Sequence, residues 1–402
     1  MNIEKKTVAE FFAGIGLMRL GLEWAGWETV WANDIDQDKL EIYRGHFPDA
    51  KERFVLRDVH EINATELPDV TLATASFPCN DLSLAGARKG LAGTHSSAFW
   101  RFIRVLEELN SRRPPIVLLE NVAGFLTSHN GNDFREACVA LNRLGYTLDA
   151  LMIDAAHFVP QSRQRLFIIG SKGCLQSSRA RETPSFLQSS ARPSALADFI
   201  LWNPDIGWNI RNVPELPKRT VSLSDVLEDL PHNSSYWWSD ARANYLLNQM
   251  SPRHRKIADR MISGRTTTYG TVFRRVRNGR SMAELRTDGI AGCLRTPRGG
   301  SGRQILFAAG RDMYRVRLLT PRECARLMGA SDYTLAKTLN LNQALFGFGD
   351  AVCVDVIEWI ATHYLNPVFD ELISLPKYGP SLTGTPLPRV YFSVQICEDP
   401  LP

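Results

Sequence analysis

Four side chains in this sequence are of types that do chemistry and stand where a fold can use them: Cys79, Glu120, Arg163 and Arg165. Cys79 follows Val70-Thr71-Leu72-Ala73-Thr74, a run that predicts a buried strand, and Pro78 ends it. The thiol is thereby placed on a turn at a sheet edge, where open α/β sheets put their ligands. Gly86, Gly90 and Gly93 follow it in a loop. Two readings are open for the cysteine by itself. It is an inert, half-buried side chain, or a nucleophile whose thiolate is favoured by its surroundings. Glu120 ends the apolar run Ile116-Val117-Leu118-Leu119, so it either caps the next turn or points into a cleft with a raised pKa. Arg163 and Arg165, two apart on an extended segment, share a face and run into the apolar Leu166-Phe167-Ile168-Ile169. They are surface charges at a strand start, or they need a carboxylate or a ligand carbonyl as partner.

These residues need elements to hold them. Thr7-Val8-Ala9-Glu10-Phe11-Phe12 predicts a strand, Ala13-Gly14-Ile15-Gly16 a tight turn, and Leu17 to Ala25 a helix. A second strand then ends on the acid Asp34, twenty residues after Gly14. This is the opening of a doubly wound nucleotide-binding domain, with an acid spaced to bind ribose hydroxyls. Arg19 stands where a dinucleotide fingerprint has its third glycine. A pyrophosphate needs that glycine; a cofactor without one, such as S-adenosylmethionine, does not. Asp58 either binds an adenine amino group or caps a helix. Helices are expected over Asp36 to Phe47, Ser97 to Leu109 and Phe134 to Leu144.

At 402 residues the chain is long for one core, and two lobes are expected. No apolar run approaches the length of a membrane span, and Met1-Asn2-Ile3-Glu4-Lys5-Lys6 lacks a signal-peptide core. A cytoplasmic protein with no membrane partner is expected. The seven cysteines have no CxxC pair and no metal-ligand spacing, which predicts reduced thiols and no metal site. Residues 251–330 hold 18 Lys or Arg against 5 Asp or Glu, a net +13 in a chain whose total is +4. A basic lobe on an otherwise acidic protein predicts a polyanion partner, most simply nucleic acid.

Beyond about residue 172 the character changes. Residues 173–250 hold many Ser, Pro and Trp and show no clear periodicity. From Arg253 to Arg317 the chain reads as loops rich in Arg, Gly and Thr, suited to phosphate contact and groove readout. Thr320, Pro321 and Glu323 spell the start of a helix. Gly347-Phe348-Gly349-Asp350-Ala351-Val352 is expected to open the last helix, through about Tyr364. The Pro-rich stretch from Pro367 to Pro402 reads as an appendage with little helix signal.

Taken together, the ordered motifs resemble the cytosine-5 DNA methyltransferases, the bacterial type II modification methylases in particular. They are Phe12-Ala13-Gly14-Ile15-Gly16, Pro78-Cys79 with Ser83, Glu120-Asn121-Val122, Gln161-x-Arg163-x-Arg165, and the closing Arg317-Leu318-Leu319-Thr320-Pro321-Arg322-Glu323 with Gly349-Asp350-Ala351-Val352. The resemblance covers roughly 1–172 and 314–366. It implies an α/β fold: a doubly wound, Rossmann-like S-adenosylmethionine-dependent methyltransferase domain with a smaller, irregular target-recognition domain. The expected division is 1–172 catalytic and cofactor-binding, 173–315 target recognition, 316–366 a return to the catalytic domain, and 367–402 the appendage. Asn80 stands where the family usually has Gln, Leu82 for a common Phe, and Asp350 for the more usual Asn.

The resemblance implies roles. Cys79 is the nucleophile that adds to carbon 6 of cytosine, Glu120 serves ring nitrogen 3, and Arg165 binds the carbonyl oxygen at position 2. Arg163 holds the Cys79 loop and Glu120. S-adenosylmethionine would be lined by Phe12, Gly14, Ile15, Gly16, Asp34, Ile35, Asp58, Val59, Pro78, Asp350, Ala351 and Val352. Ser83, Arg88, Lys89, Arg274, Arg275, Arg277, Arg295, Arg298 and Arg303 are expected against double-stranded DNA. The implied protein is a monomer, with a cognate restriction endonuclease that acts separately. Three rivals stand beside it: a tRNA cytosine-5 methyltransferase, a catalytically inactive DNA-binding homologue and a nicotinamide-dependent oxidoreductase. The large basic insert, the intact Cys79, Glu120, Arg163 and Arg165, and Arg19 in place of the third glycine argue against them in turn.

Overall fold

The computed structural model describes residues 5–78, 97–173, 187–296, 303–336 and 339–375. Its larger sheet has seven strands: β1 (Thr7–Phe11), β2 (Glu28–Asp34), β3 (Phe54–Leu56), β4 (Leu72–Ala75), β5 (Ile116–Val122), β6 (Thr147–Asp154) and β7 (Gln164–Ser171). Their order is β3-β2-β1-β4-β5-β7-β6. The first five pair in parallel, while β7 runs antiparallel to both of its neighbours, β5 and β6. The β4 residues are buried throughout, as a strand covered on both faces requires.

Helices cover both faces, and each face has its own core. On one, α1 (Leu17–Trp24) and α2 (Gln37–His46) bury Leu22 and Tyr43 with Phe348 and Ile357. On the other, α3 (Ser97–Glu108) and α4 (Asn132–Arg143) bury Phe99, Phe102, Phe134 and Leu141 against Phe11 and Tyr146. Asp36 caps α2 by accepting from the Asp38 and Lys39 amides.

Several expectations are corrected beyond residue 187. The stretch without periodicity contains α5 (Ser194–Trp202) and α6 (Asp240–Asn248), and α7 (Pro252–Ile262) follows it into the Arg-rich stretch. The α7 start is a Ser251 cap with Pro at the first turn, a local signal stronger than its weak apolar pattern. The Arg-rich loops are largely strands: β8 (Thr268–Arg277), β9 (Arg280–Arg286), β10 (Ile305–Gly310) and β11 (Met313–Leu318). They form an antiparallel sheet in the order β11-β10-β8-β9, so this region is regular rather than irregular. Asn278-Gly279, at φ +49° and +74°, turns β8 into β9 as a two-residue hairpin loop demands. A third core sits between this sheet and α6 and α7, around Leu246, Val272, Ile305 and Phe307.

The C-terminal expectations also change. Asp350 ends α9 (Leu341–Asp350), which follows α8 (Pro321–Leu327), and does not open the last helix. That helix begins as α10 (Val354–Ile360), widens through a π turn over Ala361–Leu365, and continues as α11 (Asn366–Ser374). Pro367 lacks the N–H that a regular turn would use, yet the helix passes it. Val368, Phe369 and Leu372 are buried, and Phe369 meets Trp27 edge-on. The segment 367–375 is therefore part of the core and not of an appendage.

Candidate active site

The strand order reverses between β1 and β4, and the carboxyl ends of β1, β4 and β5 lie along one sheet edge. A crevice at such a switch point is where open α/β sheets bind ligands. After β1 the chain turns through Phe12, at φ +58°, and Gly14, also at +58°. Phe12 is an aromatic residue in the left-handed region, a strained conformation that the surroundings must enforce. Gly16 caps α1 at φ +81°, and a Cβ there would lie 2.4 Å from the Phe47 ring. A Cβ on Gly14 would meet nothing within 4 Å, so this part of the turn faces open space.

Asp34, at the end of β2, secures that turn. Its Oδ2 accepts the Gly14 N–H at 2.8 Å and its Oδ1 the Asp36 N–H at 3.0 Å. Its neighbour Ile35 is 65 % exposed, a bare apolar side chain beside a buried acid. Asp58 caps a short turn by accepting the His60 amide at 2.9 Å, with Val59 buried beside it. The closing motif reaches the same region: a Cβ on Gly347 would stand 2.9 Å from Ile15, and one on Gly21 would stand 2.7 Å from Ile357 of α10. First and last helices thus pack in close contact. Lys39 Nζ pairs with Asp350 Oδ2 at 3.1 Å, and Thr296 donates to Asp350 Oδ1 at 3.2 Å. Ala351 is half-buried and Val352 buried.

On the other side of β4 stands the ion pair. Glu120 lies inside β5 rather than after it, and Arg165 Nε meets Glu120 Oε1 at 2.9 Å. The register explains the contact. Val122 faces Arg165 across β5–β7, so Glu120 is its diagonal neighbour on the same face. Asn121, which sequence reasoning misses, donates to the Phe77 carbonyl at 3.2 Å and so ties β5 to the segment entering Pro78. Cys79, Ser83, Arg88, Lys89 and Arg298 lie outside the described residues.

Arg163 is only 2 % exposed, and its hydrogen bonds go elsewhere than to Glu120. Its guanidinium donates to the carbonyls of Leu294 (2.8 Å), Gly349 (3.0 Å) and Ala351, and to the Cys293 sulfur (3.3 Å). Gln161 is fully buried and works beside it: its Nε2 donates to Leu327 O at 2.7 Å, and its Oε1 accepts from Leu294 N. One clasp therefore joins the start of β7, the 293–296 segment and the end of α9. Gly349 lets them close, since a Cβ there would lie 2.6 Å from the Arg295 and Thr296 backbone. Arg317 and Glu323 are buried partners at 2.5 Å, and Glu323 also completes the capping box of α8 with Thr320.

The arginines expected on nucleic acid are not one cluster. Arg275 and Arg277 share a face of the β8–β9 hairpin, with Glu284 3.8 and 2.7 Å away. Arg274 points to the opposite face, where its guanidinium and that of Arg242 lie 5.7 and 3.9 Å from the Trp238 ring. Arg295 is exposed, and Arg303 donates to Asn342 at 2.7 Å.

The C-5 cytosine-specific DNA methylase model matches residues 6–366. The chain belongs to this family. This methylase is a DNA cytosine-5 methyltransferase. It is similar to the type II methyltransferase M.Bsp6I of Bacillus sp. (strain RFL6), 26 % identical over 357 residues, or 88 % of this chain and 96 % of that one. It is equally similar to M.HhaI of Haemophilus parahaemolyticus, 26 % identical over 88 % of this chain and 92 % of the relative. In fold it resembles the Entamoeba histolytica methyltransferase EhMeth, with a TM-score of 0.62, 16 % identity and coverage of 92 % and 99 % of the two chains. The S. pombe Dnmt2 methyltransferase gives 0.58 and 18 %, over 91 % of this chain and 99 % of that chain. Among the methylase's described residues no helix is long and apolar enough to cross a membrane, and no His/Cys/Asp/Glu group is arranged to hold a metal.

Proposed function

We propose that this methylase is a sequence-specific modification enzyme of a restriction–modification pair. It transfers a methyl group from S-adenosylmethionine to carbon 5 of a cytosine turned out of duplex DNA, through a transient bond to Cys79. The observation that carries the reading is the ion pair of Arg165 on β7 with Glu120 on β5, the strand next to β4, whose end leads through Pro78 to Cys79. An acid and a guanidinium side by side suit the ring nitrogen 3 and carbonyl oxygen of cytosine.

The residues of the glycine turn fit an adenosine-bearing sulfonium without phosphates. The open Gly14, the exposed Ile35 and the acid Asp34 between them offer a cradle, an apolar face and an acceptor. Phe12, Ile15 and Gly16 would line the methionine and ribose side, Asp58 and Val59 the adenine, and Pro78, Asp350, Ala351 and Val352 the remaining wall. When bound, the cofactor supplies an electrophilic methyl group on sulfur.

The chain's own residues prepare the other partner. Carbon 5 of cytosine is a poor nucleophile until a thiolate adds to carbon 6, and Cys79 is that thiolate. The arginines favour its ionised form. Glu120 shares a proton with ring nitrogen 3 as charge builds there, and Arg165 draws on the carbonyl oxygen. Loss of the carbon 5 proton and departure of Cys79 then restore the aromatic ring. Flipping the base costs roughly a few kcal/mol, which contacts from Ser83, Arg88, Lys89 and the basic lobe offset.

The reading is tested by expressing the protein in a host without cytosine methylation and sequencing bisulfite-treated DNA. Methylcytosine confined to one short recurring context is the expected result. An unmethylated genome from folded protein rejects it and directs the next assay to tRNA.

The basic lobe carries a separate prediction. Neutralising Arg274, Arg275 and Arg277 together will weaken DNA binding and flatten its log–log salt dependence, by about one unit for each phosphate that no arginine neutralises any longer. Comparing Arg274→Gln with the Arg275→Gln/Arg277→Gln pair will show which face of the hairpin meets the DNA. A salt slope unchanged in all three proteins means that the hairpin touches no phosphate.

A further inference from the structure

The site contains a thiol that the mechanism does not use. Cys293 is half-buried on the segment that leads from the four-stranded sheet to the clasp. Arg163 Nη1 donates to its sulfur at 3.3 Å, and the thiol donates to Leu294 O at the same distance. The Arg163 Nε is buried without a partner among the described residues. We propose that Cys293 is a positioning residue for methyl transfer: its sulfur steadies the Arg163 guanidinium, and its charge state sets how much positive field the arginine pair presents to the cytosine and to Cys79. The inference rests on the proposed placement of the base beside Glu120 and Arg165.

The groups that face the sulfur decide the direction of the effect. Arg163 just before β7 and Arg165 on it reach the sulfur, Arg295 lies two residues along its own segment, and Glu120 and Asp350 act through the arginines. Burial alone pushes the thiol up, but Arg163, then Arg165 and Arg295, outweigh it and bring it below the ordinary thiol range. A Cys293 thiolate cancels part of the charge that favours the Cys79 thiolate and that holds the cytosine oxygen. Activity should therefore fall as pH rises through the ionisation of Cys293, and this fall should begin below the pH at which an ordinary thiol ionises.

Two measurements test this in the full chain. In Cys79→Ser protein, the rate at which iodoacetamide alkylates Cys293, read by peptide mass spectrometry across pH, reports its ionisation directly. With Cys79 intact, kcat/KM against pH is compared for the wild type and Cys293→Ser, which keeps a polar atom but cannot ionise in this range. The expected results are an alkylation midpoint below the ordinary thiol range and an alkaline limb that the serine variant lacks. Cys293→Ala replaces the serine variant if that one does not fold. Superimposable pH profiles, or a Cys293 that ionises in the ordinary range, overturn the proposal. A wild type that transfers no methyl group to DNA overturns the functional reading instead, while the alkylation profile still reports on Cys293.

Discussion

Cys79→Ala protein will bind its cofactor and DNA and yet transfer no measurable methyl group, a loss on the order of 10⁴-fold or more. The reason is electronic. Without addition at carbon 6 the cytosine ring keeps its aromatic character, and carbon 5 has no electron pair to offer. In the proposed mechanism neither Glu120 nor Arg165 can supply one, since both would act on the far side of the ring and only stabilise charge that addition has created. Cys79→Ser will retain at most a trace, because an alkoxide is far harder to form at neutral pH than a thiolate. Transfer from radiolabelled S-adenosylmethionine measures the loss, and a gel shift measures what survives. Turnover retained in the alanine variant would take Cys79 out of the mechanism.

Arg163→Met should be nearly as damaging, for a different reason. The arginine stands 2 % exposed and gives its protons to the carbonyls of Leu294, Gly349 and Ala351. Methionine fills much of the volume and satisfies none of them, which costs roughly 1–3 kcal/mol for each carbonyl stranded. The clasp then loosens on three sides at once: at the start of β7, at the 293–296 segment and at the end of α9. Misplacement of about 1 Å at a reacting centre costs roughly 10²-fold in rate, so kcat should fall by at least that in whatever protein still folds. Arg163→Lys should recover little, because one ammonium cannot span the fork. Thermal unfolding separates the stability loss from the rate loss. A lysine variant with wild-type Tm and kcat would show that the fork geometry is unimportant.

The seven-stranded half of the fold is legible because its signals are local and mutually consistent. Apolar runs mark β4, β5 and β7, and the glycines and Asp34 mark the turn that follows β1. The helix start at Thr320 can be read letter by letter, including the Glu323 that completes its cap. The arginine pair is expected to need partners, and the register delivers Glu120 to Arg165. That Arg163 takes main-chain carbonyls cannot be read, because its partners lie 131 to 188 residues away and any residue type supplies a carbonyl. The second sheet is hidden for another reason. Three of its strands, β8, β9 and β11, carry arginines, which breaks the apolar alternation that identifies a strand. Asn278-Gly279 is nevertheless a hairpin signal on its own, masked by the charge around it. The extra turns of the last helix are concealed by Pro367, which the preceding π turn accommodates.

The clasp has a consequence for how this protein can change. Arg163 and Gln161 hold Leu294 through its backbone N–H and C=O, so they would grip a different side chain at that position equally well. Substitutions that reshape the four-stranded sheet leave that grip untouched, as long as the backbone returns along the same path and residue 349 stays glycine. On the proposed function, in which the basic lobe meets the DNA, the geometry of the reaction is thereby insulated from changes in that lobe. On that reading a lineage can trade one basic surface for another without rebuilding its chemistry, and two enzymes with the same reaction can diverge in what they mark.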